Sequence, residues 1–144
     1  MSIRSNKPVS ILTATYAANK HKDDNKALVL NVAAGTAVSL AEATGSGWKA
    51  RFVVGTASNA NVISATAGST FVGGYLQATS GDSSLAADNF MEAVAGDNTL
   101  SPTTAGGGGL VGDWVQFEDI AADVWLVTGA FQGVADPTTR FSTV

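Results

Sequence analysis

Residues 112–129, GDWVQFEDIAADVWLVTG, decide the fold class of this 144-residue chain. Within this stretch, two runs of alternating residues flank a short acidic segment. Val115 and Phe117 share one face of the first run, and Trp125 and Val127 share one face of the second. Because side chains of a β-strand point alternately to its two faces, this spacing predicts a β-hairpin with one buried face.

Short strand-like runs continue on both sides of the hairpin, roughly ten residues apart and separated by turn-forming Gly, Asn and Ser. No segment keeps the 3.6-residue periodicity of a helix, which disfavours an α/β fold. The pattern predicts an all-β protein, an antiparallel β-sandwich or small jelly-roll-like barrel with an extended N-terminal arm. Besides the hairpin, the predicted strands are residues 27–32, 36–40, 48–54, 62–65, 70–79, 90–94 (a strand or the end of a helical turn) and a short one at 141.

Two clusters of glycine indicate departures from regular strands. Gly73 and Gly74 lie inside a ten-residue run and predict a β-bulge or a tight bend. Residues 106–109 are four consecutive glycines and predict a flexible loop that leads into the hairpin. They do not form a phosphate-binding loop, because no Lys-Ser or Lys-Thr pair follows them.

Charge is sparse and unevenly distributed along the chain. Charged residues make up 14% of the sequence, which is typical of a subunit whose surface is covered by its own copies or by a scaffold. Five of the eight basic residues lie in residues 1–26, which carry a net charge of +3 against −7 for the remainder. We therefore divide the chain into a basic N-terminal arm, residues 1–26, and a β-sandwich domain, residues 27–144.

The sequence also bounds the partners and the compartment. There is no cysteine, so the fold has no disulfide framework. The first residues lack the apolar core of a signal peptide and no run approaches the length of a membrane span, so we expect synthesis in the cytoplasm and no membrane partner. The dispersed charges of the arm, with Tyr16 as its one aromatic residue, make a poor nucleic-acid patch, so we expect no nucleic-acid partner.

No residue pattern predicts catalysis. His21, the only histidine, lies in a polar segment without a nucleophile and carboxylate arranged around it. Most acidic residues fall in predicted turns, where Asp commonly shapes the backbone. Glu118, Asp119 and Asp123 offer oxygen ligands that suit a cation such as calcium, but their spacing does not match an EF-hand loop. We predict no catalytic residue, no metal site and no cofactor.

Trp114 is the aromatic residue that we expect to be exposed, because it lies with Gln116 on the face opposite Val115 and Phe117. For the other aromatic residues, core packing is the expectation and a carbohydrate-stacking platform the alternative. Tryptophan is enriched at protein interfaces, so Trp114 and Gln116 are our candidate subunit interface.

Several motifs occur in an order that is similar to one family of proteins. They are NKALVLN at 25–31, AAGTAVSL at 33–40, ATGSG at 43–47, RFVVGT at 51–56, GDWV at 112–115, WLVTG at 125–129 and TTRF at 138–141. In this order the chain resembles small virion proteins of tailed phages, the capsid decoration (cement) and head-fibre proteins, over residues 10–141. Leu40-Ala41 departs from the Leu-Pro pair of the family.

The resemblance implies a non-enzymatic homotrimer that binds the major capsid protein on the outside of the phage head and stabilises the shell. The expected location is the virion exterior, after synthesis in the host cytoplasm. We expect the basic arm to anchor the protein, with residues 9–12 added as a strand to a neighbouring subunit. The candidate anchoring residues are Arg4, Lys7, Val9, Ile11, Leu12, Tyr16, Lys20 and Lys22.

Two alternatives remain open at this stage. A fibre-tip or receptor-binding module for a host-surface glycan predicts exposed aromatic residues and loop acids in one pocket. The initial Met and the lack of stalk repeats favour a decoration protein over this alternative. An enzyme that cleaves polysaccharide or peptidoglycan comes third, and it requires two essential carboxylates facing one another.

Overall fold

Two β-sheets pack face to face in the computed structural model, which describes residues 7–79, 90–133 and 140–143. The predicted loop at 80–84, the turn at 136–137 and Arg4 lie outside the described residues. No helix in the described ranges is long and apolar enough to cross a membrane. The elements are β1 Val9–Ile11, β2 Thr15–Ala18, α1 Lys20–Asp23, β3 Lys26–Leu30, β4 Ala37–Leu40, β5 Lys49–Val54, β6 Val62–Ser64, β7 Thr70–Thr79, β8 Phe90–Glu92, β9 Thr99–Leu100, β10 Trp114–Ala121, β11 Val124–Gly133 and β12 Phe141–Ser142.

The strand order confirms the all-β sandwich and shows that its sheets are mixed rather than purely antiparallel. The seven-stranded sheet has the order β1-β3-β5-β10-β11-β7-β8, and the five-stranded sheet has the order β12-β9-β6-β4-β2. The first seven strands alternate between the two sheets. Because the chain crosses to the other sheet after each of these strands, it runs in the same direction every time it comes back to a sheet. Strands β1, β3 and β5 are therefore parallel in one sheet, and β2, β4 and β6 are parallel in the other.

The hairpin is formed by β10 and β11, which pair antiparallel from Trp114↔Ala130 onward. Its inward side chains, Val115, Phe117, Trp125 and Val127, are at most 3% exposed, as the alternation predicts. They lie in the core between the sheets, where the Trp125 ring meets Trp48 edge-on with a centroid distance of 5.3 Å. The acidic segment is mostly strand, because β10 extends to Ala121.

Residues 9–26, which we expected to lie outside the sandwich as an arm, are part of it. Strand β1 pairs with β3 of the seven-stranded sheet, and β2 pairs with β4 of the five-stranded sheet. Ile11 and Ala18 are each 2% exposed and belong to the core. Strand β1 therefore adds to its own sheet instead of to a neighbouring subunit. Strands of three and four residues are too short to show an alternation in the sequence.

The glycines at 106–109, which we expected to form a flexible loop, are buried. A Cβ on Gly108 would lie 2.5 Å from the Cβ of Pro102 and 2.7 Å from the Phe131 ring. Gly107 and Gly108 both have positive φ, at 105° and 86°. Glycine is required here for close packing and for left-handed backbone, so the run is a tightly packed turn.

Candidate interaction surfaces

The outer face of the seven-stranded sheet carries a continuous row of apolar side chains. The register places these residues side by side on six neighbouring strands, β3, β5, β10, β11, β7 and β8. Leu76 is 60% exposed and Phe90 is 48% exposed, and the other members are partly buried by their neighbours in the row. We call this set the outer apolar row: Val29, Val53, Trp114, Ala130, Leu76 and Phe90.

A polar row runs beside it along the same sheet. Arg51 on β5, Gln116 on β10 and Thr128 on β11 are cross-strand neighbours, and the row ends at Glu92 on β8. Arg51 and Glu92 are both exposed. The two ends of the row therefore carry opposite charges, separated by three intervening strands.

The positive end of this face is a depression lined by cationic side chains. Lys26, Lys49 and Arg51 line it together with Gln116. We call it the basic depression. One of these three cations, Lys49, is paired with the carboxylate of Glu118 at 3.6 Å. Because Lys26 and Arg51 remain, the depression has a net positive charge. Such a surface attracts a carboxylate of another molecule.

The two predicted interface residues lie next to each other on this face. Trp114 is partly exposed, and the Arg51 guanidinium sits 4.7 Å from its ring centroid. This cation–π contact holds one side of the indole in place. Gln116 lies beside Arg51 in the polar row. The structure thus brings Trp114 and Gln116 together at the centre of the larger sheet, pointing away from the core.

The outer face of the five-stranded sheet is built from small side chains. Ser39, Ser64 and Thr99 are cross-strand neighbours, and the Ser64 and Thr99 hydroxyls are 3.2 Å apart. Thr15, Ala37 and Val62 form the next row on the same face. We call this surface the small-residue face. No ionisable side chain lies in these rows within the described residues.

The predicted anchoring residues divide into core and surface groups. Ile11 is buried and Val9 is partly buried, so these two contribute to packing. Leu12, between β1 and β2, is 72% exposed. Lys7, Lys20 and Lys22 are exposed, so the surface part of the predicted arm is cationic.

Tyr16 ties strand β2 to helix α1. Its hydroxyl donates to the Asp23 carboxylate at 2.8 Å, and Lys22 Nζ lies 4.1 Å from the centre of its ring. Burial and the hydrogen bond to Asp23 raise the pKa of Tyr16 above its usual range. Tyr16 therefore acts as a structural residue, and Lys20, His21 and Lys22 form the exposed basic surface of α1.

Asp119 is fully buried and organises the loop before Trp48. Its carboxylate accepts hydrogen bonds from the amides of Thr44, Gly45 and Ser46 and from the hydroxyls of Thr44 and Ser46. Burial alone would raise the pKa of Asp119, but these hydrogen bonds outweigh burial and lower it. The ATGSG motif is thus a binding loop for a carboxylate of the same chain.

Asp113 has a similar role at the other end of β10. It accepts from the amides of Leu110 at 2.9 Å and Gln132 at 2.8 Å, and burial raises its pKa despite these bonds. Glu118 points outward while Asp119 points inward, so the acids considered as cation ligands do not converge. In the described ranges, no group of three His, Cys, Asp or Glu side chains could hold a metal ion.

Of the outer apolar row, the sequence indicates only Trp114 and not the two most exposed members, Leu76 and Phe90. Alternation in the sequence favours core packing for Phe90 and indicates no role for Leu76, yet the two residues are neighbours on β8 and β7. The exposed row is visible only from the strand pairing. Strand β7 pairs parallel with β11, and this pairing places Leu76 beside Ala130. A pairing between strands about fifty residues apart is not visible in local alternation.

No protein-family model, no curated protein and no solved structure matches this chain. The resemblance to capsid decoration proteins therefore stays a prediction based on the motifs.

Proposed function

We propose that this chain is a non-enzymatic virion structural protein that decorates the outside of a tailed-phage head as a homotrimer. The order of the motifs suggests this role. The observation that carries it in the structure is the outer apolar row, because exposed apolar side chains running across a sheet suit contact between the subunits of an assembly.

The proposed action on the capsid is mechanical. A decoration protein that binds across the joints between capsid subunits adds buried area where a shell is weakest. A contact of about 1,600 Å² is standard for a specific interface, and many copies per particle multiply its effect. The exposed cations of α1 supply attraction to an acidic capsid surface.

The use of the buried carboxylates supports a role without catalysis. Asp113 and Asp119 lie at opposite ends of β10, and each accepts hydrogen bonds from amides of its own chain. A pair of catalytic carboxylates would face a common cleft. These two instead stabilise loops.

The arrangement of aromatic residues gives less support to the receptor-binding alternative. A glycan site would gather exposed aromatic residues and free acids in one pocket. Trp114 and Phe90 lie on strands three positions apart in the sheet, and Glu118, the acid nearest to Trp114 on β10, is paired with Lys49.

Co-sedimentation with undecorated phage heads, and in parallel with host cells, tests the proposal. We expect the protein to pellet with heads and not with cells. Binding to cells alone would contradict the decoration role and favour a receptor-binding module.

The anchoring part of the proposal needs a substitution rather than a truncation, because deleting residues 1–20 would remove β1 and β2. We expect Lys20→Gln/Lys22→Gln to weaken binding to heads about tenfold, since both charges are exposed. The matched control Lys20→Arg/Lys22→Arg keeps the charge and should keep the affinity. Equal binding by the Gln and Arg variants would exclude α1 as the anchor.

A further inference from the structure

We propose that the outer face of the seven-stranded sheet pairs with the same face of a second copy of this chain about a two-fold axis parallel to β11. This inference concerns contact between copies in solution, so it does not depend on the capsid-binding role. It rests on the positions of opposite charges, on the shape of the outer apolar row and on the size of the face.

The strand order makes the face self-complementary in charge. Strand β5 lies two positions to one side of β11, and β8 lies two positions to the other side. A two-fold axis along β11 exchanges these sides, so β8 of the second copy lies over β5. Arg51 and Glu92 belong to the same cross-strand row, so Glu92 of the second copy faces the basic depression. Two such charge pairs form in each dimer.

The same two-fold rotation places apolar side chains of the two copies opposite each other. Trp114 lies one strand from β11 on one side, and Leu76 lies one strand away on the other side, in the same row. Trp114 therefore meets Leu76 of the second copy. The small residue Ala130 lies on the axis, where the two copies of one side chain meet. A tryptophan buried against an aliphatic residue near the centre is typical of an energetically important contact.

The face is large enough for such a contact. The two-fold axis overlaps the five strands β5, β10, β11, β7 and β8, whose length averages about seven residues. At a spacing of about 4.8 Å and a rise of about 3.3 Å per residue, they outline a plane of about 24 Å by 24 Å. Side-chain relief makes the accessible area larger than this plane of about 600 Å². A stable interface buries about 800 Å² on each partner.

The small-residue face lacks both features that favour pairing. Its rows carry Ser, Thr, Ala and a single Val, Val62, with no opposite charges at their ends. We therefore assign the contact to the larger sheet. A chain that also forms trimers through another surface would assemble as a pair of trimers, so the number of chains is even in either case.

Charge exchange tests this contact in the purified full-length protein. We expect light scattering and sedimentation velocity to give a mass of two or six chains at concentrations of about 100 μM. Arg51→Glu and Glu92→Arg should each raise the dissociation constant of the pair about tenfold, because each places like charges together. The double variant Arg51→Glu/Glu92→Arg should restore it to within about threefold, since the charges are opposite again.

Three outcomes would overturn the inference: a monomer, a trimer, or a double variant that associates as weakly as the single variants. Thermal unfolding followed by circular dichroism checks that each variant is folded. Arg51 also contacts Trp114, so Arg51→Glu can disturb the fold. In that case the association of Glu92→Arg and Leu76→Ser tests the inference. Both residues are exposed on β8 and β7, and unchanged association of these two variants contradicts the inference.

Discussion

The two outer faces of the sandwich differ in the size and charge of their side chains. The larger sheet exposes Trp114, Leu76 and Phe90 in one row and has opposite charges at the ends of the next. The small-residue face has Ser39, Ser64 and similar residues in flat rows. Both faces are strands with alternating burial, so alternation alone does not separate them. Side-chain volume and charge separate a face that suits a partner from one that does not.

The largest effect should separate the core side of the hairpin from its outer side. Trp125 is 0% exposed and packs against Trp48, whereas Trp114 on the paired strand is partly exposed. We expect Trp125→Ala to lower the free energy of unfolding by about 3–5 kcal/mol, and Trp114→Ala by about 1 kcal/mol. Denaturant unfolding measures both. Similar losses would contradict the assignment of Trp114 to an interaction surface.

The loop bound by Asp119 should give the next effect, because it stabilises the inner side of β10 without contributing to either outer face. Asp119→Asn replaces an acceptor of several amide hydrogens with a group that also donates, so we expect a loss of about 2–3 kcal/mol in the free energy of unfolding. Chemical denaturation at pH 7 measures it. A loss below 0.5 kcal/mol would show that the loop does not depend on this carboxylate.

The lowered pKa of Asp119 also predicts a pH dependence. Because the pKa in the folded state lies below its value in the unfolded chain, about 3.9, this group stabilises the fold at higher pH. The contribution declines as pH falls below about 4 and is lost through the pKa of the folded state. We expect the stability difference between wild type and Asp119→Asn to shrink over that range. A constant difference down to pH 2 would contradict this.

A matched pair of polar substitutions compares the two outer faces directly. Leu76→Ser on the larger sheet should raise the dissociation constant of self-association about tenfold. Val62→Ser on the small-residue face should change it less than about twofold. Sedimentation equilibrium measures the dissociation constant of each variant. Equal effects would mean that the contrast between the faces has no role in association.

The smallest effect should come from the ion pair on the larger face. Lys49 and Glu118 are partly exposed and 3.6 Å apart, so solvent screens their attraction. We expect Lys49→Gln to change the free energy of unfolding by less than about 0.5 kcal/mol. Thermal unfolding at low and high salt measures this. A loss above 1 kcal/mol would show that the pair stabilises the fold.

Local alternation predicts the hairpin, the strands from β3 to β7 and the buried set around Val115 and Trp125. It does not predict which strands share a sheet. The parallel pairing of β7 with β11 and the incorporation of β1 depend on contacts distant in sequence. For the glycines at 106–109, composition indicates backbone freedom and so predicts a flexible loop. Their burial depends on neighbours distant in sequence, such as Phe131.

For the candidate surface, the sequence places Trp114 and Gln116 correctly on the outward side of β10. It does not place Leu76 and Phe90 beside them, because the row forms only when six strands are assembled in order. Likewise, only the cross-strand register shows that the opposite charges of Arg51 and Glu92 lie in one row. Their positions in the sequence, forty-one residues apart, carry no such signal.

Site-specific cross-linking tests the pairing of the larger face most directly. The chain has no cysteine, so Thr128→Cys, next to the proposed axis on β11, provides a single reactive thiol. Facing sheets lie about 10 Å apart, which a short bismaleimide spans. We predict a covalent species of twice the 14.5-kDa chain mass for Thr128→Cys and none for Ser39→Cys on the small-residue face. Cross-linking of Ser39→Cys but not of Thr128→Cys would contradict the account.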